Sequence, residues 1–441
     1  MKLGMISLGC PKNLVDSEEM LGILHEANYE LTNQITEAEI VIINTCGFIQ
    51  SAKEESITTI LETASLKKTG KCKYILVSGC LAQRYAEDLL EDMPEIDGII
   101  GTNCFTDIAF VLEEVKQGKR PIHLQKKPEI KTDAKRVLCT PKHFAYLKIA
   151  EGCDNHCSYC VIPKIRGRYR SRKYEEVLEE AKYLATTGIK ELIVVAQDTT
   201  RYGEDLYGRL RLAELLKDLC AIPQLQWVRV MYMYPNNFND ELIHAFATLP
   251  KLCKYIDIPI QHASDKILKS MNRRDTKAEI TSLLAKLRKH VTDIVIRTTF
   301  IVGYPGETEQ DFQTLKKFIE EQKFENAGVF QYSQEEGTFA GKMANQITAE
   351  VKEQRYDELM AIQAKISENC HKATEGKIYD VLVEGLDEED NTLAFGRSYR
   401  EAPDIDGLIF IENAQKLKVG DMVKVKILQG FTYESVGQLI E

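Results

Sequence analysis

The stretch Glu151-Gly-Cys-Asp-Asn-His-Cys-Ser-Tyr-Cys160 carries three cysteines, at positions 153, 157 and 160. Three thiolates can hold three irons of a 4Fe–4S cubane, and a contiguous loop of this kind leaves the fourth iron without a protein ligand. A structural zinc site would use four ligands, usually two Cys-x2-Cys pairs, and no partner pair accompanies this loop. We therefore expect Cys153, Cys157 and Cys160 to bind an iron–sulfur cluster with an open iron. Zinc and merely buried thiols are the alternatives.

The segment before this loop, residues 144–150, is apolar and predicts a strand. The cluster would then lie at the carboxyl end of a strand, where α/β folds place their active sites. Further strands are predicted, with amphipathic stretches between them, at residues 191–196, 227–231, 255–260, 294–301 and 327–332. Six strand–helix units predict a parallel barrel, complete or partial.

Polar residues and glycines gather where these predicted strands end. Gln197 and Asp198 follow one strand, and Gly303 and Gly306 follow another. Each pair alone is ordinary loop chemistry. Their recurrence at one edge predicts a cofactor pocket there. His262 lies at the same edge, where a hydrogen-bonded structural role is favoured over that of a proton carrier.

The amino-terminal part contains a second set of three cysteines. Apolar segments at residues 2–8, 40–44, 74–78 and 96–101 alternate with helical patterns and predict a parallel sheet. Cys10, Cys46 and Cys80 come directly after the first three segments. Parallel strands end at one edge, so these thiols should converge. The alternative is that cysteine is a common buried residue, as we expect for Cys104.

The helix after the first strand has a candidate start signal. Asp16 and Glu19 stand at the spacing of a capping box, and an apolar stripe follows them. We therefore predict that this helix begins near Asp16.

The last seventy residues predict a small antiparallel β-barrel. Short strands are expected at residues 378–384, 392–396, 407–411, 422–428 and 434–439. From Thr374 to Glu441 there are seven basic and fourteen acidic residues, and Asp387-Glu-Glu-Asp390 is wholly acidic. Such a surface repels phosphates and attracts basic partners. A merely solubilising face is the alternative.

Length and composition set limits on the function. The 441 residues suffice for about three domains, which we place at residues 1–135, 136–370 and 371–441. With 57 basic and 67 acidic residues the net charge is −10, which argues against nucleic acid as the main partner. The start has no signal-peptide pattern and no run of about 18 apolar residues occurs, so we expect a cytoplasmic protein without a membrane partner. The twelve cysteines are then explained as metal ligands and buried thiols.

Five features of the sequence resemble known families. The Cys153 loop, with Tyr159 before its last cysteine, resembles the radical S-adenosylmethionine enzymes. The three amino-terminal cysteines, and Ile162, Pro163, Arg166, Gly167, Ser171 and Arg172, resemble elements of the methylthiotransferases. Ser7-Leu-Gly-Cys-Pro-Lys-Asn-Leu-Val-Asp-Ser-Glu18 is similar to the branch that acts on a ribosomal protein, whereas the tRNA-modifying branch usually has Gln-Met-Asn at positions 11–13. The carboxy-terminal part resembles the TRAM domain.

The resemblance implies a mechanism and its cofactors. It implies two 4Fe–4S clusters and S-adenosylmethionine, with a radical made at the Cys153 loop and sulfur presented at Cys10, Cys46 and Cys80. The substrate would be an aspartate of small-subunit ribosomal protein twelve (uS12), free or in the assembled subunit, bound through the acidic TRAM domain. A reducing electron donor is also implied. Gln197, Asp198, Gly303, Gly306 and Arg166 would contact S-adenosylmethionine, Arg166 by pairing a carboxylate; a solvated basic turn is the alternative for Arg166. The rival functions are the same chemistry on a tRNA adenosine and a non-enzymatic iron–sulfur electron carrier.

Overall fold

The structure is a computed structural model, and it describes residues 1–124, 136–387, 389–390 and 392–440. Its contacts separate two compact units. Unit 1 comprises Met1–Cys139, Glu151–Arg172 and Ser333–Gly341, and unit 2 comprises Thr140–Ala150, Lys173–Tyr332 and Lys342–Glu441. The predicted boundary at residue 135 lies outside the described residues, and the three-domain division stays a prediction.

Unit 1 is built on a parallel sheet of six strands. The strands are β1 (Lys2–Ser7), β2 (Glu30–Leu31), β3 (Ile40–Thr45), β4 (Tyr74–Ser78), β5 (Gly98–Gly101) and β6 (Ile122–His123). Their order is β2-β1-β3-β4-β5-β6. Helices cover both faces, which is why β3 is buried along its whole length. The parallel α/β fold predicted for this part is confirmed.

The helices of this sheet pack on two separate cores. They are α1 (Pro11–Glu26), α2 (Gln50–Thr69), α3 (Gly79–Arg84), α4 (Ala86–Asp92) and α5 (Ile108–Lys116). One core joins Met20 of α1 and Val111 of α5 to Ile42 of β3. The other joins Ile60 of α2 and Leu81 of α3 to Ile43 on the opposite face of the same strand. The alternation of side chains along a strand therefore serves both faces.

The start of α1 differs from the predicted one. The helix begins at Pro11, directly after Cys10, and Cys10 makes no side-chain cap. Proline suits the first helical position, because the backbone N–H that it lacks has no partner there in any helix. Asp16 and Glu19 are buried in the helix interior. The predicted capping box is therefore wrong, and Asp16 has another use.

Unit 2 contains an open parallel sheet of six strands in the order β14-β13-β12-β11-β10-β7. The strands are β7 (Phe144–Lys148), β10 (Glu191–Val195), β11 (Trp227–Val230), β12 (Leu252–Asp257), β13 (Val295–Val302) and β14 (Asn326–Gln331). The helices are α7 (Tyr174–Thr186), α8 (Glu204–Tyr207), α9 (Leu212–Cys220), α10 (Asp240–Thr248), α11 (Asp265–Ser270), α12 (Lys277–His290), α13 (Glu309–Gln322) and α14 (Ala349–Lys372). The sheet is a partial barrel, as the six predicted units allow. Between β7 and α7 the chain forms β8 (Ala150–Glu151), α6 (Ile162–Ile165) and β9 (Arg170–Ser171).

The carboxy-terminal residues close into a five-stranded barrel. Its strands are β15 (Ile378–Leu386), β16 (Leu393–Arg397), β17 (Ile409–Glu412), β18 (Met422–Gly430) and β19 (Ser435–Leu439). Neighbours are antiparallel except β17 and β19, which are parallel. A closed ring with an odd number of strands cannot alternate in direction throughout, so one parallel pair is required. The predicted small β-barrel is confirmed with this one parallel seam.

Charged side chains of this small barrel are buried against the larger sheet of unit 2. Arg397 is fully buried and donates to Glu191 of β10 (Nη2 to Oε2, 2.7 Å). Asp406 accepts from the Tyr255 hydroxyl of β12 at 2.5 Å and from Arg297 of β13 at 3.4 Å. The two sheets of unit 2 are therefore joined through hydrogen-bonded charges.

In the part of the chain that the structure describes, no helix has the length and apolar character needed to cross a bilayer.

Two cysteine sites as candidate iron–sulfur centres

The turns after β1, β3 and β4 bring Cys10, Cys46 and Cys80 together. These strands are neighbours in the sheet, and a cysteine follows each one closely. A Cβ on Gly9 would lie 2.8 Å from the Cys46 Cβ and 3.0 Å from its Sγ, and Gly9 has φ +85°. A Cβ on Gly47 would lie 3.0 Å from the Cys80 carbonyl carbon. The three turns therefore pack without intervening side chains, which requires glycine at both positions.

The three thiols influence one another's ionisation. Burial raises the pKa of Cys80 to about 12, with further increases from Cys10 and Cys46. Burial also raises the pKa of Cys46, again with a contribution from Cys10. Burial opposes ionisation of Cys10 too, but Lys12, Arg166 and two backbone N–H groups outweigh it and lower its pKa. Three thiolates this close would repel one another, so a cationic iron cluster suits the donor set.

A buried amide holds these turns in place. The Asn13 side-chain nitrogen donates to three carbonyl oxygens, those of Leu8 (2.8 Å), Thr45 (3.1 Å) and Asn44 (3.3 Å). These carbonyls belong to residues that immediately precede the turns of Cys10 and Cys46. Thr45 in turn donates through its hydroxyl to the Ser78 carbonyl at 2.5 Å, just before the Cys80 turn. One polar network thus fixes the approach of all three cysteines.

The Cys153 loop is a compact turn of unit 1. The Cys160 N–H donates to the Cys157 carbonyl (3.0 Å), and the Cys153 N–H donates to the Gly167 carbonyl (3.1 Å). Burial raises the Cys160 pKa, and Cys157 and Cys153 raise it further. Gly152 has φ +78°, and a Cβ there would lie 2.1 Å from the Arg168 carbonyl oxygen. These contacts place the three thiols of this loop in one compact turn, a donor set that suits a cubane.

The cysteine geometry does not suit a single metal ion. In residues 1–124, 136–387, 389–390 and 392–440, no three His, Cys, Asp or Glu side chains converge on a point where one ion could bind. A cubane differs, because each cysteine binds its own iron and the sulfurs need not meet at one point. Ligation by these six cysteines remains a prediction.

The residues predicted to line a cofactor pocket lie after two separate strands of unit 2. Gln197 and Asp198 follow β10, and Gly303 and Gly306 follow β13, with β11 and β12 between them. Asp198 is buried and accepts from the Thr200 N–H (3.1 Å) and hydroxyl (2.5 Å), so its carboxylate caps the following turn. Gly306 has φ +79° with open space at its Cβ position. Their contact with a cofactor stays a prediction.

A buried carboxylate braces the turn that contains Gly303 and Gly306. Glu307 accepts from the backbone N–H groups of Gly303 and Tyr304, the latter at 3.1 Å. His262 accepts the Ser264 N–H at Nδ1 (2.9 Å), and its Nε2 lies 3.5 Å from the Glu307 carboxylate. Both nitrogens of this fully buried ring thus face protein groups, which agrees with a structural role for His262.

Arg166 lies elsewhere than the sequence suggested. Its side chain is only 1% exposed, and Nη1 lies 2.9 Å from Glu151 and 3.0 Å from Asp16. Nη2 donates to the Asn13 side-chain oxygen at 2.9 Å. The expectation that Arg166 pairs a carboxylate of S-adenosylmethionine or substrate is therefore corrected, because its guanidinium is already enclosed by protein carboxylates. A solvated turn is equally inconsistent with this burial.

Sequence reasoning missed the contacts by which several residues hold the turns of the cysteines. Glu335 is buried and pairs with Lys53 (3.0 Å) and Arg84 (2.8 Å). Arg84 also donates to the Gly47 carbonyl at 3.0 Å, beside Cys46. In the same segment, the Ala340 N–H donates to the Ser158 carbonyl at 2.9 Å, beside Cys157. Residues 333–341 therefore contact Ser158 of the Cys153 loop directly and the Cys46 turn through Arg84, a link between distant positions that no local pattern signals.

Comparison with known proteins decides the family. The ribosomal protein uS12 methylthiotransferase RimO of Pelotomaculum thermopropionicum is 51% identical over 441 residues, covering 100% of this chain and 99% of the relative. The enzymes of the same name from Desulforamulus reducens and Clostridioides difficile are 49% and 47% identical with the same coverage. This chain belongs to the uS12 methylthiotransferase family. It is accordingly a radical S-adenosylmethionine methylthiotransferase.

Family models and solved structures agree with that membership. The models described as uncharacterized protein family UPF0004, Radical SAM superfamily and TRAM domain match residues 2–101, 147–319 and 376–440. The fold is similar to the radical S-adenosylmethionine methyltransferase TsrM from Kitasatospora setae, with TM-score 0.57 and 12% identity over 75% of this chain and 72% of that one. It is also similar to the cobalamin-dependent radical enzyme OxsB, with TM-score 0.53 and 14% identity over 83% and 56% of the two chains. At such identities the likeness concerns the fold of the methylthiotransferase alone.

Proposed function

We propose that the protein transfers a methylthio group to the β-carbon of an aspartate in ribosomal protein uS12. The observation that carries this proposal is the 47–51% identity to enzymes of that name over the full chain. The two sets of three cysteines gathered within unit 1 support it. Pro11-Lys12-Asn13 supports the ribosomal-protein substrate over the tRNA alternative, because that alternative is associated with Gln-Met-Asn.

Each cysteine set would hold one 4Fe–4S cluster. Cys153, Cys157 and Cys160 would leave one iron open for S-adenosylmethionine, and Cys10, Cys46 and Cys80 would hold the second cluster. When bound, the first cluster supplies the electron that cleaves S-adenosylmethionine and the second supplies a site for the transferred sulfur. An external reducing partner would provide the electron. The contribution of the protein is then to position groups and to exclude water.

Residues of the chain itself perform that positioning, both at the turns of Cys10, Cys46 and Cys80 and at the turn of Gly303 and Gly306. Asn13 and Thr45 fix the turns of Cys10, Cys46 and Cys80, so the thiols stay grouped before a cluster is bound. Glu307 braces the turn of Gly303 and Gly306, whose backbone we propose as part of the S-adenosylmethionine site together with Gln197 and Asp198. Open space at the Gly306 Cβ position lets a ligand approach the backbone closely.

The small carboxy-terminal barrel would receive the substrate. Its residues from Thr374 onward carry seven basic and fourteen acidic side chains. A ribosomal protein is basic because it binds RNA, and a surface of opposite charge increases the rate of encounter. Action on a ribosomal protein, free or in the small subunit, would place the enzyme in the cytoplasm.

The test uses the full chain, reconstituted anaerobically with iron and sulfide. We expect about eight irons per chain, as two 4Fe–4S clusters require. With reductant and S-adenosylmethionine, uS12 should gain a methylthio group seen by mass spectrometry, and 5′-deoxyadenosine should form. Cys157→Ala should abolish both products, whereas Cys139→Ala, at an exposed thiol, should preserve them.

Two results would overturn the proposal. Methylthiolation of tRNA with no modification of uS12 would establish the rival substrate. Cluster binding without any cleavage of S-adenosylmethionine would establish an electron carrier.

A further inference from the structure

Arg166 connects the segment that begins the Cys153 loop to the helix that begins at Cys10. Its partner Glu151 lies two residues before Cys153, and its partner Asp16 lies in α1. All three side chains are nearly inaccessible to solvent, between 1% and 6% exposed. The positive charge of Arg166 also acts on the Cys80 thiol, whose pKa it lowers against the larger effect of burial. One guanidinium thus contacts elements of both cysteine sets.

The same guanidinium orients the amide that holds the three turns. Asn13 accepts from Arg166 at its side-chain oxygen, which directs its nitrogen toward the Leu8, Asn44 and Thr45 carbonyls. Without a donor at the oxygen, the amide could flip and lose these contacts, since its two ends are nearly equal in shape. The planar guanidinium contacts two carboxylates and an amide oxygen at once, and the single ammonium group of lysine cannot reproduce this arrangement.

We propose that Arg166 is a positioning residue that couples the two cysteine sites and sets the reduction potential of the Cys10, Cys46 and Cys80 cluster. The inference rests on the proposed function only in assigning a cluster to those thiols. Arg166 acts through Asn13 on geometry and through its own charge on electrostatics. Glu151 and Asp16 carry the opposing charges, so the balance among these three groups determines how readily the cluster accepts an electron.

The two charge changes have opposite expected signs. Arg166→Gln removes a positive charge beside the Glu151 and Asp16 carboxylates, which disfavours the reduced, more negative cluster and lowers its potential. Glu151→Gln removes the negative charge that lies 2.9 Å from Arg166, so less of the arginine charge is offset and the potential of the Cys10, Cys46 and Cys80 cluster rises. A residue with a merely structural role would not produce shifts of opposite sign.

The experiment uses the full chain with Cys153, Cys157 and Cys160 all replaced by alanine, so that only Cys10, Cys46 and Cys80 can bind a cluster. Arg166→Gln, Arg166→Lys and Glu151→Gln are added to this background one at a time. Arg168→Gln is the matched control, because Arg168 lies in the same basic stretch with its side chain 89% exposed. Iron and sulfide per chain, the circular dichroism melting curve and the midpoint potential by electron paramagnetic resonance are measured.

We expect Arg166→Gln to lower the equilibrium constant for reduction of the Cys10, Cys46 and Cys80 cluster at least tenfold. For a one-electron reduction this lowers the midpoint potential by about 59 mV. Arg166→Lys should shift it less, and Glu151→Gln should shift it in the opposite direction. Arg168→Gln should leave it unchanged. A folded Arg166→Gln protein with full iron and an unchanged potential would refute the proposal.

If Arg166→Gln does not fold, Glu151→Gln decides: an unchanged or lowered potential refutes the inference. Absence of any cluster in the parent background would instead contradict the proposed function.

Discussion

Replacing Glu191 with glutamine should destabilise unit 2 strongly, because this residue neutralises two buried arginines. Its carboxylate accepts from Arg229 at 2.6 Å and from Arg397 at 2.7 Å, and all three side chains are fully buried. Burial opposes the charge of Glu191, but the two arginines outweigh it and hold its pKa below 4.5. The carboxylate is therefore ionised in the folded protein at neutral pH.

The loss of stability in Glu191→Gln depends on the partners that each arginine retains in the variant. Arg397 retains Glu384 at 2.7 Å, whereas Arg229 retains no carboxylate contact among the described residues, but the carbonyls of Tyr399 (2.9 Å) and Ser398 (3.4 Å) and the face of the Tyr255 ring (4.7 Å to its centroid). Removing one partner of a buried ion pair costs about 3–5 kcal/mol, because the other charge stays buried without compensation. We expect the free energy of unfolding to fall by about that amount at pH 7. Since folding lowers the pKa of Glu191, the difference should begin to shrink near pH 4.5 and disappear only at still lower pH, where the carboxylate of the folded protein takes up a proton.

Trp227 makes the measurement local. It is the only tryptophan of the chain and begins β11, two residues before Arg229. Urea unfolding followed by its fluorescence should show a midpoint lower by about 1–2 M in Glu191→Gln, for a slope of about 2–3 kcal/mol/M. Asp240→Asn is the control, because its pair with Lys286 is exposed and should contribute little. The reasoning is refuted if the two variants unfold at the same urea concentration.

Three further predictions concern the cysteine turns, a titrating carboxylate and the segment 333–341. Gly9→Ala should prevent iron binding at Cys10, Cys46 and Cys80, because its Cβ would collide with Cys46. Gly118→Ala is the control and should bind iron normally, because Gly118 has a similar φ of +82° with open space at its Cβ position. Equal iron content in the two variants would contradict this prediction. Burial raises the pKa of Asp275 from 3.8 to about 6, so ionisation of this carboxyl costs stability as the pH rises through that range. Asp275→Asn should therefore raise the melting temperature more at pH 7.5 than at pH 5. A larger increase at pH 5 would disprove the raised pKa of Asp275. Glu335→Gln should speed backbone hydrogen exchange in residues 333–341, because it removes the ion-pair partner of Lys53 and Arg84. Glu336→Gln is the control and should leave exchange unchanged, because Glu336 is exposed. Equal exchange rates in the two variants would exclude these ion pairs as the cause of slow exchange.

The parallel strands could be predicted closely because their apolar runs are continuous. Residues 40–44 and 74–78 match β3 and β4 to within one residue. The strand expected at 255–260 instead spans Leu252–Asp257. Its apolar pattern continues past Asp257, but Pro259 has no N–H for a ladder, and the Asp257 side chain accepts from the Tyr232 N–H at 2.9 Å. A pattern of apolar residues does not report where backbone pairing ends.

The cysteine positions were accessible to sequence reasoning, whereas the charged groups around them were not. A thiol that follows a strand end is visible in the sequence, because parallel strands end at a common edge. Arg166 belongs to a basic stretch, and basic stretches usually lie in solvent. Its partners Asp16 and Glu151 are 150 and 15 residues away and become neighbours only in the fold. Asp16 matched the spacing of a capping box for a related reason. Its actual partner, Arg166, is distant in the sequence, so the local pattern gave no sign that Asp16 lies inside the helix.

The buried charges that join the small barrel to the sheet of unit 2 restrict how this carboxy-terminal part can be exchanged between enzymes. The TRAM model matches residues 376–440. A chimera that takes those residues from a tRNA-modifying relative would import its own counterparts of Arg397 and Asp406. These must still satisfy Glu191, Tyr255 and Arg297 of the recipient. The carboxy-terminal part can therefore be transplanted only together with the complementary charges on β10, β12 and β13, and grafts that ignore them should yield insoluble protein.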